Sequence, residues 1–193
     1  MAIIALRMPT QQDVAAESRL GALLPGAGRF VSDRPLRLVA FLRHTGCPFA
    51  EQTVKELRHL ADRDARVAVF LLGHGDAGTS AKWLDEIGGC GSAFWIDDPA
   101  RGLYGECGLG YSSPGHFLGP TSLSAAITLR SKGIRNRVAS GTRWQKAGAF
   151  LIDRSGRVVW KQVPATANEV PREGDVMAAI ESALHAHLGR VTG

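Results

Sequence analysis

The sequence predicts an α/β protein with a central mixed sheet flanked by helices, an N-terminal extension (1–34) and a middle insertion (109–144). Three observations predict it. In the first half, apolar runs alternate with segments of helical periodicity, the order that builds parallel strands through right-handed crossovers. Near the end, GAFLIDRSGRVVWKQV places two short apolar runs around a tight turn, a hairpin signal that adds antiparallel strands. The 193 residues, 45% hydrophobic and 21% charged, are enough for one domain with a continuous core.

The elements follow in order. Gln11 to Leu24 reads as a helix, with Val14, Leu20, Leu23 and Leu24 roughly on one face and PGAG as its end. Leu36–Leu42 (LRLVAFL) is a buried strand. Pro48 suits the first turn of a helix because its missing N–H has no partner there anyway, and Phe49, Val54, Leu57 and Leu60 continue that helix to ADRDAR. Arg66–Gly73 (RVAVFLLG) is a second buried strand. GHGDAGTS is a turn, with Ser80 capping the helix AKWLDEIG. SAFWIDD is a short strand and Pro99 opens the short helix ARGLYGECG. From Leu109 to Trp144 the one local signal is helix-like SLSAAITLR, so this stretch is expected to be an insertion or a lid. Ala149–Asp153 and Val158–Val163 form the hairpin, and a last amphipathic helix spans about Asp175 to Leu188. This is a thioredoxin-type layout.

The net charge of +5 is spread over most of the chain and does not argue for nucleic acid. One concentration stands out. No acidic residue lies between Glu106 and Asp153, while Arg130, Lys132, Arg135, Arg137, Arg143 and Lys146 do. This is either a solvated basic loop or an electropositive rim for an anionic substrate. MAIIALRMPTQQ lacks the apolar core of a secretory signal, and no run approaches a membrane span. Three cysteines, an odd number, argue against a disulfide framework, so a reducing, cytoplasmic setting is expected. No metal spacing is present: His185 and His187 point to different faces of a helix, and His74 and His116 fall on loops. The reading calls for no cofactor and no metal.

The chemistry centres on FLRHTGCPFAEQ. Cys47 falls where a strand ends and a helix begins, a place where unpaired N–H groups and the helix dipole stabilise a thiolate. Arg43 and His44 are placed to reinforce that effect, and Thr45 to hydrogen-bond the thiolate or a substrate oxygen. The same residue also suits ordinary packing, since free cysteine is commonly buried.

At these residues the sequence resembles the peroxiredoxin-like branch of the alkyl-hydroperoxide-reductase/thiol-specific-antioxidant (AhpC/TSA) family, in the thioredoxin-like superfamily. FLRHTGCPFAEQ is similar to its strand, F-x-R and C-P-x-C segment. DDPARGLYGECGL is similar to its D-P-x-x-x-L-Y-x-x-L-G-L, and RWQKAGAFLIDRSGRVVWKQV to its W-Q-x-G-G-x-F-x-x-D-x-x-G-x-V. The likeness covers Leu36 to Val163 and is weakest between Leu109 and Arg143. Three departures accompany it. Ala50 replaces the second cysteine of C-P-x-C. Ala147 stands where the family places an arginine. Thr45 lies two residues before Cys47 rather than three.

The resemblance implies a thioredoxin-like fold and a thiol-dependent oxidoreductase with an antioxidant role. Cys47 would attack a peroxide or related electrophile, assisted by Thr45 and Arg43, and an external thiol would recycle it. The substrate pocket is expected from His44, Pro48, Phe49, Arg143, Trp144, Gln145 and Lys146, with Trp144 read either as a pocket wall or as an anchor of the insertion. Cys90 and Cys107 read as packing residues, or as resolving thiols if one is used. The alternative is a thioredoxin-fold enzyme or binding module that acts on a specialised organic substrate without peroxidase activity. The expected partners are a small-molecule substrate and a thiol donor, with homodimerisation open and neither nucleic acid nor membrane involved.

Overall fold

The computed structural model describes residues 13–113, 120–139 and 141–191. Gln11, Gln12 and His116 lie outside them. The elements are β1 (Leu36–Phe41), α1 (Pro48–Arg63), β2 (Val67–Gly73), α2 (Ala77–Glu86), β3 (Phe94–Asp97), α3 (Gly102–Glu106), α4 (Pro120–Ser131), β4 (Gly148–Asp153), β5 (Val158–Gln162) and α5 (Glu173–Val191). The strands form one mixed sheet in the order β3-β2-β1-β4-β5. β1, β2 and β3 run parallel, while β4 is antiparallel to both β1 and β5.

The near-continuous apolar character of β1 and β2 follows from burial on both faces. Alternation then sorts their side chains into two cores. Leu36, Leu38, Ala40 and Leu42 face the layer of α1, α2 and α5, together with Val69, Leu71, Ala149 and Leu151. Val39 and Phe41 face the other way, with Phe70, Leu72, Phe150 and Ile152, into a second cluster closed by Leu24, Phe30, Leu103 and Tyr104. Cys47 belongs to the first core and Cys107 to the second.

Several sequence expectations are corrected. No helix forms over residues 13–24. Leu24 and Phe30 are fully buried, whereas Val14, Leu20 and Leu23 are exposed. Complete burial of Leu24 and Phe30 contributes about 2 kcal/mol each. The backbone that achieves it pairs with other parts of the chain: Ala15 N–H donates to the Gly105 carbonyl (3.0 Å), and Gly21 and Leu24 donate to Val158 (2.8 Å) and Gly156 (2.9 Å). Tertiary pairing has replaced helical pairing.

α2 begins at Ala77, with Asp76 as its cap and Ser80 buried inside it. The Asp76 carboxylate accepts from Thr79 N–H at 2.9 Å and from the Thr79 hydroxyl at 2.6 Å. α3 starts at Gly102 rather than at Pro99, where Asp98 accepts from the Leu103 N–H at 2.9 Å. β3 starts at Phe94, which leaves Cys90 in the loop before it. Part of the insertion is structural, since Leu129 and Ile134 join the first core. Among the described residues no helix is long and apolar enough to cross a membrane.

Candidate active site

The carboxyl ends of parallel strands form a crevice where α/β proteins gather functional groups. Here the segments after β1, β2 and β3 bring Arg43–Cys47, His74 and Arg101 to that end of the sheet. Tyr104, fully buried, donates its hydroxyl to the carbonyls of Leu42 (2.7 Å) and Leu72 (2.9 Å). It thereby ties the ends of β1 and β2 just before Arg43 and His74.

Cys47 is the N-cap residue of α1, extended in backbone (φ −76°, ψ 129°), with Pro48 opening the helix. Its N–H donates to the His44 carbonyl at 3.2 Å, its own carbonyl accepts from Glu51 at 3.0 Å, and its side chain makes no capping hydrogen bond. The residue is 3% exposed. Gly46 before it has φ +84°, the left-handed region that favours glycine, and a Cβ there would lie 2.4 Å from the Val138 carbonyl oxygen. Thr45, Arg43 and His44 are buried around the same turn.

Two charges differ from the sequence expectation. His44 cannot assist as a cation: burial, with Arg43 and Arg143 nearby, pushes its pKa down to about 3. It is a neutral imidazole whose Nδ1–H donates to the Thr45 carbonyl at 2.8 Å. His74, on the loop after β2, has a partner. It is buried, held below its ordinary pKa by that burial, and its Nε2 bonds the Arg43 carbonyl. The Arg43 guanidinium in turn donates to the Arg143 carbonyl at 2.9 Å, which brings these two arginines of the expected site together.

Nor is the acid-free stretch without counter-charge. Arg137 pairs with Glu51, in the first turn of α1, and with Glu86 at 3.3 Å. Glu51, 2% exposed, also holds Lys55 at 2.7 Å. An acidic residue early in a helix is too common to single out Glu51 from its local pattern, and its partner lies 86 positions away.

A narrow crevice of about 20 Å³, room for roughly one water-sized molecule, borders Arg43, Phe49, Ala50 and Thr53 from the β1–α1 side and Ala147 and Gly148 opposite. Trp144 and Gln145 do not line it. Both are buried; the Gln145 amide donates to the carbonyls of Leu109 (2.7 Å) and Gly110 (3.1 Å), and Lys146 N–H to Gly110 (3.0 Å). This segment laces the insertion to the core.

The other thiols are remote from Cys47. Cys107 is fully buried on the opposite side of the sheet, with its pKa raised by that burial to about 12. Cys90 donates to the Ala93 carbonyl at 3.4 Å, next to Arg58, whose guanidinium binds the Gly88 carbonyl at 2.8 Å. Arg58 lies roughly 16 Å along α1 from Cys47 at 1.5 Å per residue, against the Cα separation of about 4.4–6.8 Å that a disulfide needs. Among the described residues no group of three or more His, Cys, Asp or Glu is placed to hold a metal ion.

Comparison with known proteins decides the lineage. The AhpC/TSA antioxidant enzyme family profile matches residues 52–164, more than half of the sequence. The chain belongs to the AhpC/TSA family. The matched stretch starts at Gln52, beyond Cys47. No curated protein matches the sequence. Among solved structures, a peroxiredoxin-like protein from Aquifex aeolicus superposes with a TM-score of 0.63 at 12% identity, covering 88% of this chain and 90% of its own. A thiol peroxidase from Chromobacterium violaceum gives 0.61 at 12% identity, covering 90% and 92%. At such identities the likeness shows the fold, a thioredoxin-like sheet with its helices. Membership of AhpC/TSA places this fold among the thiol-dependent oxidoreductases.

Proposed function

We propose that the protein reduces a peroxide, with Cys47 as nucleophile and an external thiol as electron donor. One observation carries the reading: Cys47 is the N-cap residue of α1, four positions after buried Arg43, while both other cysteines lie out of bridging reach. The Cys47 thiolate attacks the terminal oxygen of ROOH, the S–O bond forms as the O–O bond breaks, and the alkoxide leaves to take up a proton as ROH. Sulfur is oxidised to the sulfenic acid and the peroxide is reduced. A small thiol then displaces water to give a mixed disulfide, and a second thiol releases Cys47 and the oxidised donor.

Arg43 is assigned to the peroxide oxygens, in place of the arginine that Ala147 does not supply, and Thr45 to the thiolate or the attacked oxygen. Neutral His44 holds the turn through the Thr45 carbonyl. Pro48 and Phe49 shape the entry to α1, and Arg143 and Lys146 form an electropositive rim. A cytoplasmic setting, which supplies reducing thiols, belongs to this proposal, as does a homodimer as the working form.

The test is peroxide consumption with a small-thiol donor, comparing the wild type with Cys47→Ser. Turnover confined to the wild type supports the assignment. Equal turnover in both would remove Cys47 from the reaction, and none in either would move the chain to a non-peroxidase activity on the same scaffold.

A further inference from the structure

A peroxide and then a thiol must reach Cys47, yet the residue is 3% exposed. One segment lies against the loop that presents it. Residues 134–139 have no regular secondary structure and cross at Gly46, where Arg137 N–H donates to the Gly46 carbonyl at 2.8 Å. The Val138 backbone rests on Gly46 so closely that a side chain there would collide with it.

The two sides of this crossing are fastened differently. Ile134 before it and Trp144 after it are buried. The crossing itself has no apolar anchor, because Val138 is 91% exposed. It is held down by charge, through Arg137 to Glu51 on α1 and to Glu86 at the end of α2. Glu51 is 2% exposed and Glu86 43%, so the two arms differ in strength. Salt screens the exposed arm and leaves the buried one largely intact. Beside the crossing, a groove of about 830 Å³ is lined by residues of α2, by Arg137 and Val138, and by Thr45, two residues from Cys47.

We propose that residues 135–139 form a latch over the Cys47 loop, hinged beyond buried Ile134, closed by Arg137 on Glu51 and Glu86 and opened to admit substrate and reductant from the α2 groove. This rests on Cys47 as the reacting thiol. It adds an access step in which Arg137 acts on Cys47 only through the position of the loop. Gly141 marks the far end. It has φ +66°, and a Cβ there would meet His74 Nδ1 at 2.5 Å, so the segment leaves the latch against a fixed imidazole.

The experiment measures alkylation of each cysteine in the full-length chain by iodoacetamide, a neutral probe, followed by peptide mass spectrometry. Salt is varied from about 0.01 M to about 1 M, which shortens the Debye length from about 30 Å to about 3 Å. The latch predicts that salt accelerates Cys47 in the wild type, with Cys107 unchanged as the reporter of global opening. Arg137→Ala accelerates Cys47 at low salt by about tenfold, equivalent to about 1.4 kcal/mol of closure, and Arg137→Lys restores most of the protection. Glu86→Gln touches only the exposed arm. It accelerates Cys47 roughly twofold and removes most of the salt effect, which keeps the test available if Arg137→Ala fails to fold. Unchanged Cys47 rates in the folded variants, or Cys47 and Cys107 rising together, overturn the latch. Alkylation reads access alone, so absence of peroxidase activity would count against the proposed function without touching this result.

Discussion

Replacing Ala50 by Cys returns a thiol one helical turn after Cys47. With a rise of 1.5 Å per residue and a radius near 2.3 Å, Cα atoms three residues apart on a helix are about 5 Å from each other. That lies inside the disulfide range of roughly 4.4–6.8 Å. Ala50 is 2% exposed and borders the 20 Å³ crevice beside Arg43, so the added sulfur finds part of its space already present. The packing cost therefore falls at the low end of overpacking, about 1 kcal/mol, or about 2–4 °C in Tm for a chain of this size. The assay treats reduced protein with one equivalent of hydrogen peroxide in the presence of dimedone and maps the peptides without reduction. Wild type gives a dimedone adduct at Cys47 and no bridge to Cys90 or Cys107. In Ala50→Cys the new thiol captures the sulfenic acid, and the adduct falls by about tenfold in favour of a bridge within one peptide. A folded variant with the wild-type adduct yield would refute the alignment of the two positions. A quantitative Cys47–Cys107 bridge in wild type would refute the separation of these thiols by the sheet.

Other consequences are as specific. Tyr104→Phe removes the hydroxyl shared by the Leu42 and Leu72 carbonyls; stability falls by about 1–3 kcal/mol in chemical denaturation, and an unchanged midpoint would mean that water replaces the hydroxyl at no cost. His44 stays neutral in the folded chain down to about pH 3, whereas in the unfolded chain it titrates near pH 6.5. Its depressed pKa leaves stability unaffected above pH 6.5 and reduces it as pH falls from 6.5 towards 3, because the unfolded state takes up the proton, with a slope of up to about 1.4 kcal/mol per pH unit. His44→Gln flattens the fall of Tm between about pH 6.5 and 4.5, and superposable curves for variant and wild type would refute the assignment. Replacing both Arg143 and Lys146 by Ala lowers kcat/KM for an anionic hydroperoxide about fivefold at low salt and leaves a neutral one unchanged; equal effects on both substrates would show that the rim does not steer charge.

The sheet was legible because its signals are local. β1, β2 and β4 announce themselves as short apolar runs, Pro48 marks the start of α1, and the turn through Gly156 joins the hairpin. Where expectation failed, distant residues decided. The apparent helix before Leu24 lost to backbone bonds with Gly105, Gly156 and Val158, all more than 80 positions away. Asp76 displaced Ser80 as the cap because its carboxylate reaches both the N–H and the hydroxyl of Thr79. At the site, Cys47 and Arg43 could be read from one short segment. The neutrality of His44 follows from burial, and the grip of Arg137 on Glu51 from the folded path of the insertion, neither of which a linear pattern carries.

The placement of Cys47 and Cys107 in separate cores has a further meaning for how oxidising equivalents leave the molecule. In the proposed reaction the sheet separates these two sulfurs, and Cys90, on the Cys47 side, sits beside Arg58 about 16 Å along α1, so an oxidised Cys47 would have neither thiol within reach. Oxidation then adds a single oxygen atom to one side chain and introduces no staple between elements. The lifetime of that mark is set from outside, by a race between the next thiol and the next peroxide. When thiol is scarce the second peroxide wins, and the sulfenic acid advances to sulfinic acid. Under the proposed function, a protein built this way would work as a relay whose rate meters the supply of thiol around it.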